Sequence, residues 1–191
     1  MGLFDKLFGK RQGDYSPSAE LMPEEKFWAI VQSSFDKTNG DFEEQQIQLA
    51  SLLKSLALQE IILFDNRFRE LRGRAYNWQL WAAIYIIHGG CGDDSFMDFR
   101  DWVIAQGNFF YYRTISDPET LAEVETERIE IEWEGMGYIP STVFKKLTGK
   151  EIPSEYRENQ EITGTEWEDD SDTLKNMFPK LYAKYSRNYD Q

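Results

Sequence analysis

The chain has 191 residues, of which 41% are hydrophobic and 15% aromatic, and its formal net charge is −13. A chain of this length and apolar content can bury one substantial core, which predicts a single compact domain. Because the negative charge repels phosphate backbones, nucleic acid is an unfavourable partner and a basic protein is a favourable one.

The negative charge is concentrated in the second half of the chain. Residues 116–172 contain five basic and seventeen acidic residues, a net charge of −12, whereas residues 1–11 and 173–191 carry +2 and +3. Acidity of this kind also serves solubility on its own. The charge therefore permits a basic partner but does not require one.

The first eleven residues, MGLFDKLFGKR, are predicted to form a separate amphipathic segment. Its apolar face comprises Leu3, Phe4, Leu7 and Phe8, and its polar positions include Lys6, Lys10 and Arg11. Such a segment either contacts an anionic membrane or a partner, or is a mobile leader without a role. Residues 12–21, QGDYSPSAEL, are polar and contain Gly and Pro, which predicts a flexible linker.

The sequence contains no secretory signal and no apolar run of the length that a bilayer requires. Its lone Cys91 cannot form an intrachain disulfide. Both features predict a cytoplasmic protein. Peripheral contact with a membrane through residues 1–11 stays open.

A mainly helical domain of about six to eight helices is predicted from residue 22 to residue 191. Pro23 suits the first turn of its first helix, and Asp41 is placed to cap the second. A third helix is predicted from about Leu58 to Arg74. Its outward side carries four arginines that we expect to pair within the acidic chain: Arg67, Arg69, Arg72 and Arg74.

Residues 77–107, NWQLWAAIYIIHGGCGDDSFMDFRDWVIAQG, predict two apolar helices joined by a tight turn. Between Trp78 and Ile87 only Gln79 is plainly polar, so the first helix is expected to be buried on every side. It is too short to cross a bilayer. The core predicted from the two helices comprises Trp78, Trp81, Tyr85, Phe96, Phe99 and Trp102.

The turn between these two helices is rich in glycine and aspartate. Gly89 and Gly90 can adopt left-handed backbone angles and end the first helix. Asp93 or Asp94 is predicted to cap the second helix and to pair with Arg100 or another nearby arginine. The spacing along the second helix predicts one acidic stripe of three residues, Asp94, Asp98 and Asp101.

Residues 128–134, RIEIEWE, alternate polar and apolar side chains, which is typical of a strand. No partner strand is visible, and a lone strand cannot satisfy its backbone. The sequence therefore leaves open a short helix or one short hairpin near residues 128–139. Residues 140–148 are predicted to be helical, and Gly149 ends that helix.

The end of the chain is predicted as an acidic loop followed by a helix. Residues 150–172 are acidic and polar, with Trp167 as the one strong apolar anchor. Asp172 is placed to cap a C-terminal helix over residues 173–186, which Pro179 interrupts.

Residues 22–148 resemble a bacterial family of domains of unknown function, DUF4240. The resemblance rests on the order of FW, EIILFD and RAYNWQLWAAIYIIHGG, and most of all on the GG-C-x-DD-x-F-x-x-F-R-x-W-V-I-x-x-G block from Gly89 to Gly107. It implies a mainly helical bacterial domain and no activity. The family pattern more often has Asn at the position of His88, which argues against a role that depends on this imidazole.

Four side chains near the turn contain the atom types that bind metals: His88, Cys91, Asp93 and Asp94. A structural zinc site needs four ligands at defined spacings, and the chain has one His and one Cys in total. The run DDSFMD, which ends at Asp98, is similar to aspartate-rich motifs that hold magnesium on diphosphates. Its spacing differs by one residue and no second acidic motif opposes it. We therefore predict no metal, no cofactor and no catalytic residue, and a structural role for these side chains.

Two classes of function are compatible with the sequence. The first is a non-enzymatic protein-interaction module, of the immunity or antitoxin type or a regulator, whose acidic surface neutralises a basic partner. The alternative is a hydrolase or transferase that uses Asp93, Asp94 and Asp98 with a divalent cation. The chain lacks a nucleophile elbow, a phosphate-binding glycine loop and a second histidine, which favours the first class.

Overall fold

The computed structural model describes residues 13–38, 41–125 and 131–186, and every regular element in these ranges is a helix. The mainly helical class is therefore confirmed. The α-helices of the described ranges are α1 (Glu24–Phe35), α2 (Phe42–Lys54), α3 (Leu58–Arg74), α4 (Trp78–His88), α5 (Asp93–Ala105), α6 (Asn108–Ser116), α7 (Ile139–Thr148), α8 (Ser171–Met177) and α9 (Pro179–Tyr185).

These nine described α-helices exceed the six to eight that the sequence predicts. One reason is the aromatic run NFFYYRTIS, which forms helix α6. Another is Pro179, which begins α9 directly after α8 because proline fits the first turn of a helix but not its interior. Phe178 separates the two helices with a non-helical backbone (φ −138°, ψ 70°).

Contacts within the chain group its residues into two compact units. The first unit consists of the residues up to Leu71 together with Ala105–Gly107 and Glu134–Glu158. The second unit consists of Arg72–Ile104, Asn108–Trp133 and the residues from Asn159 onward. Each unit is thus assembled from segments that lie far apart in the sequence.

In the first unit, helix α2 packs against α1 and α7. Asp41 precedes α2, and its side chain accepts a hydrogen bond from the Glu44 amide at 2.9 Å, so the predicted cap is confirmed. The core includes the fully buried rings of Phe27 and Phe64, whose centroids are 4.6 Å apart. Removal of this apolar surface from water is the main stabilising contribution.

Residues 13–21, which the sequence predicts as a linker, contain no helix in the structure. The Ser16 amide donates to the Gln59 side chain at 2.9 Å, and Ser18 forms a parallel bridge with Ser154. Asn66 donates to the carbonyl oxygen of Ser18 at 2.9 Å. These bonds attach the segment to helix α3 and to the segment after α7, while its flexibility in solution stays a prediction.

In the second unit, helix α4 packs against α9 and against the 3-10 helix Pro118–Glu123. The side chain of Asp117 caps this 3-10 helix. At its other end, Lys184 of α9 donates hydrogen bonds to the carbonyl oxygens of Ala122 (3.0 Å) and Val124 (2.6 Å). Lys184 thereby satisfies carbonyls that a helix end leaves without partners in the helix, and it fastens α9 to the 3-10 helix.

Two helices end at glycines with left-handed backbone angles, as the sequence predicts. Gly89 has φ 70° and ends α4, and Gly149 has φ 72° and ends α7. Any other residue would be strained at these positions because its Cβ would crowd the backbone. The predicted ends of both helices are confirmed.

The hairpin proposed near residues 128–139 is not formed in the part that the structure describes. Residues 126–130 lie outside the described residues, and residues 131–139 contain a turn and a short 3-10 helix, Met136–Tyr138. The alternation of polar and apolar residues still determines burial, because Ile131 and Trp133 are buried. The Trp133 amide donates to the carbonyl oxygen of Asp98 at 3.1 Å rather than to a second strand.

The last helical segment begins earlier than predicted. Asp170, not Asp172, is the capping residue of α8, because its backbone is extended and its side chain accepts a hydrogen bond from the Thr173 amide at 2.8 Å. Asp172 lies inside the first turn of that helix. There its charge interacts favourably with the positive end of the helix dipole instead.

The arginines at the end of α3 pair within the chain, as predicted. Arg67 lies 2.9 Å from Glu70, Arg69 lies 3.6 Å from Glu158, and Arg72 lies 3.5 Å from Asp101. The fourth, Arg74, donates a hydrogen bond to the hydroxyl of Tyr112 at 3.2 Å. Their positive charge is therefore largely committed to partners inside the protein.

None of the helices in the described ranges combines the length and the apolarity that a membrane-spanning helix requires. The amphipathic segment predicted for residues 1–11 lies outside the described residues, so its contact with a membrane or a partner stays a prediction.

Candidate functional site

Helix α4 begins at a well-defined anchor in the second unit. The side chain of Asn77 accepts a hydrogen bond from the Leu80 amide at 2.8 Å and so caps the helix. The Trp78 amide donates to the carbonyl oxygen of Thr163 at 3.0 Å. The residue after Thr163 is Gly164 (φ 86°), where a Cβ atom would lie 2.5 Å from the Gln79 side chain. The Gln79 side chain is exposed and could move aside, so it is the positive φ of Gly164 that favours glycine here.

The prediction that α4 is buried on every side is wrong. Its fully buried positions are Leu80, Ala82, Ala83, Ile84 and Ile86. Trp78, Trp81 and Tyr85 are only half-buried. Their spacing of three and four residues places the three rings on one face of the helix. Helix α4 therefore has a buried side and a partly exposed aromatic side, which we call the α4 aromatic face (Trp78, Trp81 and Tyr85).

The rings of the α4 aromatic face continue a stack that starts in the core. Phe96 of α5 is fully buried, and its ring stacks on Trp81 with centroids 4.9 Å apart and planes inclined by 21°. Trp81 in turn stacks on Trp78 at 5.5 Å and 12°. The other core residues predicted from α5, Phe99 and Trp102, are also buried. The stack holds the exposed rings in fixed orientations.

Arg100 lies at the inner end of this stack rather than beside Asp93 or Asp94, where the sequence places it. Its guanidinium carbon is 4.5 Å from the ring centre of Tyr76 and 4.9 Å from that of Phe96. Arg100 is only 8% exposed. These cation–π contacts therefore form in a largely water-free setting, where they are strongest. Aromatic rings of this unit therefore already hold one cation.

A carboxylate stands next to Tyr85 on the α4 aromatic face. The Tyr85 hydroxyl donates a hydrogen bond to Asp169 at 2.7 Å, and the Tyr85 ring lies 4.8 Å from that of Trp167. The hydrogen bond to Asp169, followed by burial and by the charge of Asp169, raises the pKa of Tyr85. Trp167 thus anchors the acidic loop as predicted, and it attaches the loop to α4.

His88 lies at the C-terminal end of the α4 aromatic face and contacts a second carboxylate. Its Nδ1 is 3.0 Å from Glu132, and its side chain is 29% exposed. Burial lowers the pKa of His88, and the charge of Glu132 and the hydrogen bond to it oppose this shift without cancelling it. The imidazole is therefore neutral near pH 7 and donates from Nδ1 to Glu132.

We expect the stability of the protein to fall as the pH falls below the pKa of an unfolded histidine, about 6.5. Because the folded protein holds its His88 proton less tightly than the unfolded chain, protonation favours unfolding. His88→Asn should remove this part of the pH dependence. Thermal melts of both proteins between about pH 7 and pH 5 measure it. Parallel curves for the two proteins would contradict the assignment.

Cys91 is not a reactive thiol. Burial raises its pKa to about 12, and the charges of Glu132 and Asp93 add to the shift, while a hydrogen bond from Trp81 opposes it. Since the thiolate is the nucleophile, the group is inert at neutral pH. The indole of Trp81 also donates to the carbonyl oxygen of Cys91 at 2.9 Å, which ties the turn to the α4 aromatic face.

We expect iodoacetamide to alkylate Cys91 at least about ten-fold more slowly in the folded protein than in the same protein in denaturant at equal pH. Mass spectrometry of timed samples gives both rates. Equal rates would show that the thiol is accessible and ionises normally.

The aspartates of α5 do not form the predicted stripe or cap. Asp93 and Asp94 are exposed and lie inside the first turn of the helix, after Gly92, so neither occupies the capping position. They favour the helix through its dipole instead. Asp98 is half-buried, and Asp101 is 2% exposed and paired with Arg72. The four- and three-residue spacing does not give one exposed acidic stripe, because burial increases from Asp94 to Asp101.

Among the residues that the structure describes, no three His, Cys, Asp or Glu side chains come together in a group that could hold a metal ion. Asp93, Asp94 and Asp98 are therefore not gathered as the hydrolase hypothesis requires, since a divalent cation needs several oxygen ligands around one point. His88 and Cys91 lie near each other, but each is engaged in the contacts described above.

Exposed carboxylates accumulate in the loop that Trp167 attaches to α4. The exposed acidic residues of this loop are Glu161, Glu166, Glu168, Asp169 and Asp170. With Glu132 at the end of the helix, they give the surroundings of the α4 aromatic face a strongly negative charge. Sequence reasoning missed the roles of Glu132 and Asp169 because their partners, His88 and Tyr85, are distant in the chain.

Geometry and chemistry thus define a mainly helical protein with a half-exposed, acid-bordered aromatic face and no grouped metal ligands in the described part. A family model described as protein of unknown function (DUF4240) matches residues 22–146, and the chain belongs to this family. The resemblance seen in the sequence is confirmed over almost its full extent. No curated protein and no solved structure matches the chain.

Proposed function

We propose that the protein is a non-enzymatic interaction module whose second unit binds a positively charged segment of another protein. The observation that carries the proposal is the α4 aromatic face, three partly exposed rings bordered by the carboxylates of Asp169 and Glu132. Single exposed apolar residues are ordinary on protein surfaces. A contiguous row of large rings that a buried stack holds in place is typical of a binding surface.

Two independent interactions favour the binding of a basic partner to this surface. The faces of Trp and Tyr rings attract the guanidinium group of arginine and the ammonium group of lysine. The surrounding carboxylates attract the same groups and accelerate association at low salt. Arg100 shows the chemistry within the chain itself, since its guanidinium already lies on the rings of Tyr76 and Phe96.

A module of this kind neutralises its partner by covering a basic surface. That mode of action suits an immunity or antitoxin-like protein, or a regulator. The alternative of a metal-dependent hydrolase or transferase has less support, because Asp93, Asp94 and Asp98 are not gathered around a common point. Calorimetric titration with magnesium, manganese and zinc tests that alternative directly.

The experiment compares three forms of the protein as bait in a lysate of the native host: wild type, the double variant Trp78→Ala with Tyr85→Ala, and Phe109→Ala. Phe109 is the matched control because it is 78% exposed and lies on helix α6 of the same unit. We expect wild type and the control to retain a basic protein at low salt and less of it at high salt.

The double variant should lose that protein, and its dissociation constant for the purified partner should rise at least about thirty-fold. Circular dichroism of all three baits verifies that they are folded. Equal retention by the double variant would contradict the proposed site, and failure to retain any protein at either salt concentration would contradict the proposed function.

A further inference from the structure

A groove between α2 and α7 of the first unit is bordered by positive charge, whereas the chain as a whole is negatively charged. It is open to solvent and has a cavity volume of about 90 Å³. The residues that line it include Ala50, Lys54, Tyr138, Ile139, Val143 and Lys146. No acidic residue of the described ranges lines it.

The groove has an apolar floor and an apolar border. Ile139 and Val143 of α7 are 4% and 1% exposed and form part of the floor together with Ala50 of α2. Tyr138, which lines the groove, is 59% exposed. Ile47, which precedes Ala50 by three residues on α2, is 66% exposed. Burial of such large exposed side chains under another surface would be favourable, because it removes apolar area from water.

The charge of the groove comes from two lysines. Lys54 and Lys146 are exposed and form no salt bridge with any residue of the described ranges. The neighbouring Lys145, by contrast, pairs with Glu151. In a chain with a net charge of −13, a groove bordered by two such cations and by no carboxylate selects a negatively charged ligand.

We propose that this groove docks a protein segment that carries acidic residues and at least one large apolar side chain. The acidic residues contact Lys54 and Lys146, and the apolar side chain covers the floor over Ile139 and Val143. A peptide fits better than a small amphiphile because Ile47 lies three residues before Ala50 on α2 and so adds exposed apolar surface on the same side of the helix. This site lies in a different unit from the α4 aromatic face and has the opposite charge. Its test is therefore independent of the test of the proposed function.

The test uses the full chain as bait for a random peptide library displayed on phage. Selected peptides are synthesised with a fluorescent label, and their binding is measured by anisotropy to wild type, to Lys54→Glu with Lys146→Glu, and to Lys175→Glu with Lys180→Glu. The last variant is the matched control, because it makes the same change in net charge at two exposed lysines of the second unit. Backbone amide shifts in NMR spectra locate the bound peptide.

We expect a class of peptides enriched in Asp and Glu around Leu, Phe or Trp, with amide shifts concentrated in α2 and α7. Reversal of the two groove lysines should weaken these peptides at least about ten-fold, and the control should leave them within about two-fold of wild type. Acidic peptides that bind equally to the groove variant, or a selection without acidic peptides, would overturn the proposal. Displacement of the peptides by decanoate would also overturn it, in favour of a small anionic amphiphile.

Discussion

We expect Trp102→Ala to lower the free energy of unfolding by about 3–5 kcal/mol, the range for removal of a fully buried tryptophan. Trp102 is 1% exposed in the second unit. Its ring stacks on Phe99 with centroids 5.7 Å apart and meets Phe110 edge-on at 5.3 Å. Truncation to alanine leaves a cavity between these rings and forfeits their contacts, and both losses destabilise the fold.

Two further variants keep this prediction testable if Trp102→Ala does not fold. Trp102→Phe retains a ring and should cost less than the alanine variant. Trp81→Ala should cost about 1–3 kcal/mol, because the side chain is half-buried and only part of its surface leaves water on folding. Chemical denaturation followed by far-ultraviolet circular dichroism measures all three. A cost for Trp81→Ala equal to that of Trp102→Ala would show that α4 is core on every side after all.

The ends of the helices could be predicted from sequence because their causes are local. A cap such as Asp41 acts on an amide three residues away, and a terminating glycine such as Gly89 or Gly149 acts through its own backbone angle. The family block around the turn led to the correct family for the same reason, since the order of its residues is visible in the chain. These features need no knowledge of the rest of the fold.

The exposure of α4 could not be predicted in this way. An apolar sequence indicates that a helix has enough hydrophobic surface to be buried, but large aromatic residues are often only partly covered. Trp78, Trp81 and Tyr85 remain half-exposed because the segments that cover them, including Trp167, leave part of their rings in contact with solvent. The partition into two units was equally invisible, because each unit combines segments from distant parts of the chain.

The two proposed surfaces make different demands on their ligands, and this allows them to be separated in experiment. The α4 aromatic face offers rings and carboxylates, so it selects cations. The groove beside Lys54 and Lys146 offers an apolar floor and ammonium groups, so it selects acidic segments. Raised salt should weaken binding at both surfaces, whereas each set of substitutions should affect only one of them.

Asn66→Leu should lower the free energy of unfolding by about 2–4 kcal/mol, although the two side chains have nearly the same size. Asn66 is fully buried in the first unit, and its amide group donates to the carbonyl oxygens of Ser18 (2.9 Å) and Glu20 (2.7 Å). Its own oxygen accepts a hydrogen bond from the Ser154 hydroxyl at 2.6 Å. Leucine would remove all three hydrogen bonds. The Glu20 carbonyl would lose this donor, and the partly buried Ser18 carbonyl would keep only the Glu155 amide among the donors of the described residues.

The matched control is Asn159→Leu, because Asn159 is exposed and, among the residues that the structure describes, its side chain bonds within its own turn, to Glu161. It should change stability by no more than about 0.5–1 kcal/mol. Hydrogen exchange separates a local from a general effect: the Glu155 amide, which donates to the Ser18 carbonyl at 3.0 Å, should exchange faster in the Asn66 variant. If Asn66→Leu costs less than about 1 kcal/mol, or if the Glu155 amide stays protected, then this side chain does not hold the N-terminal segment against helix α3.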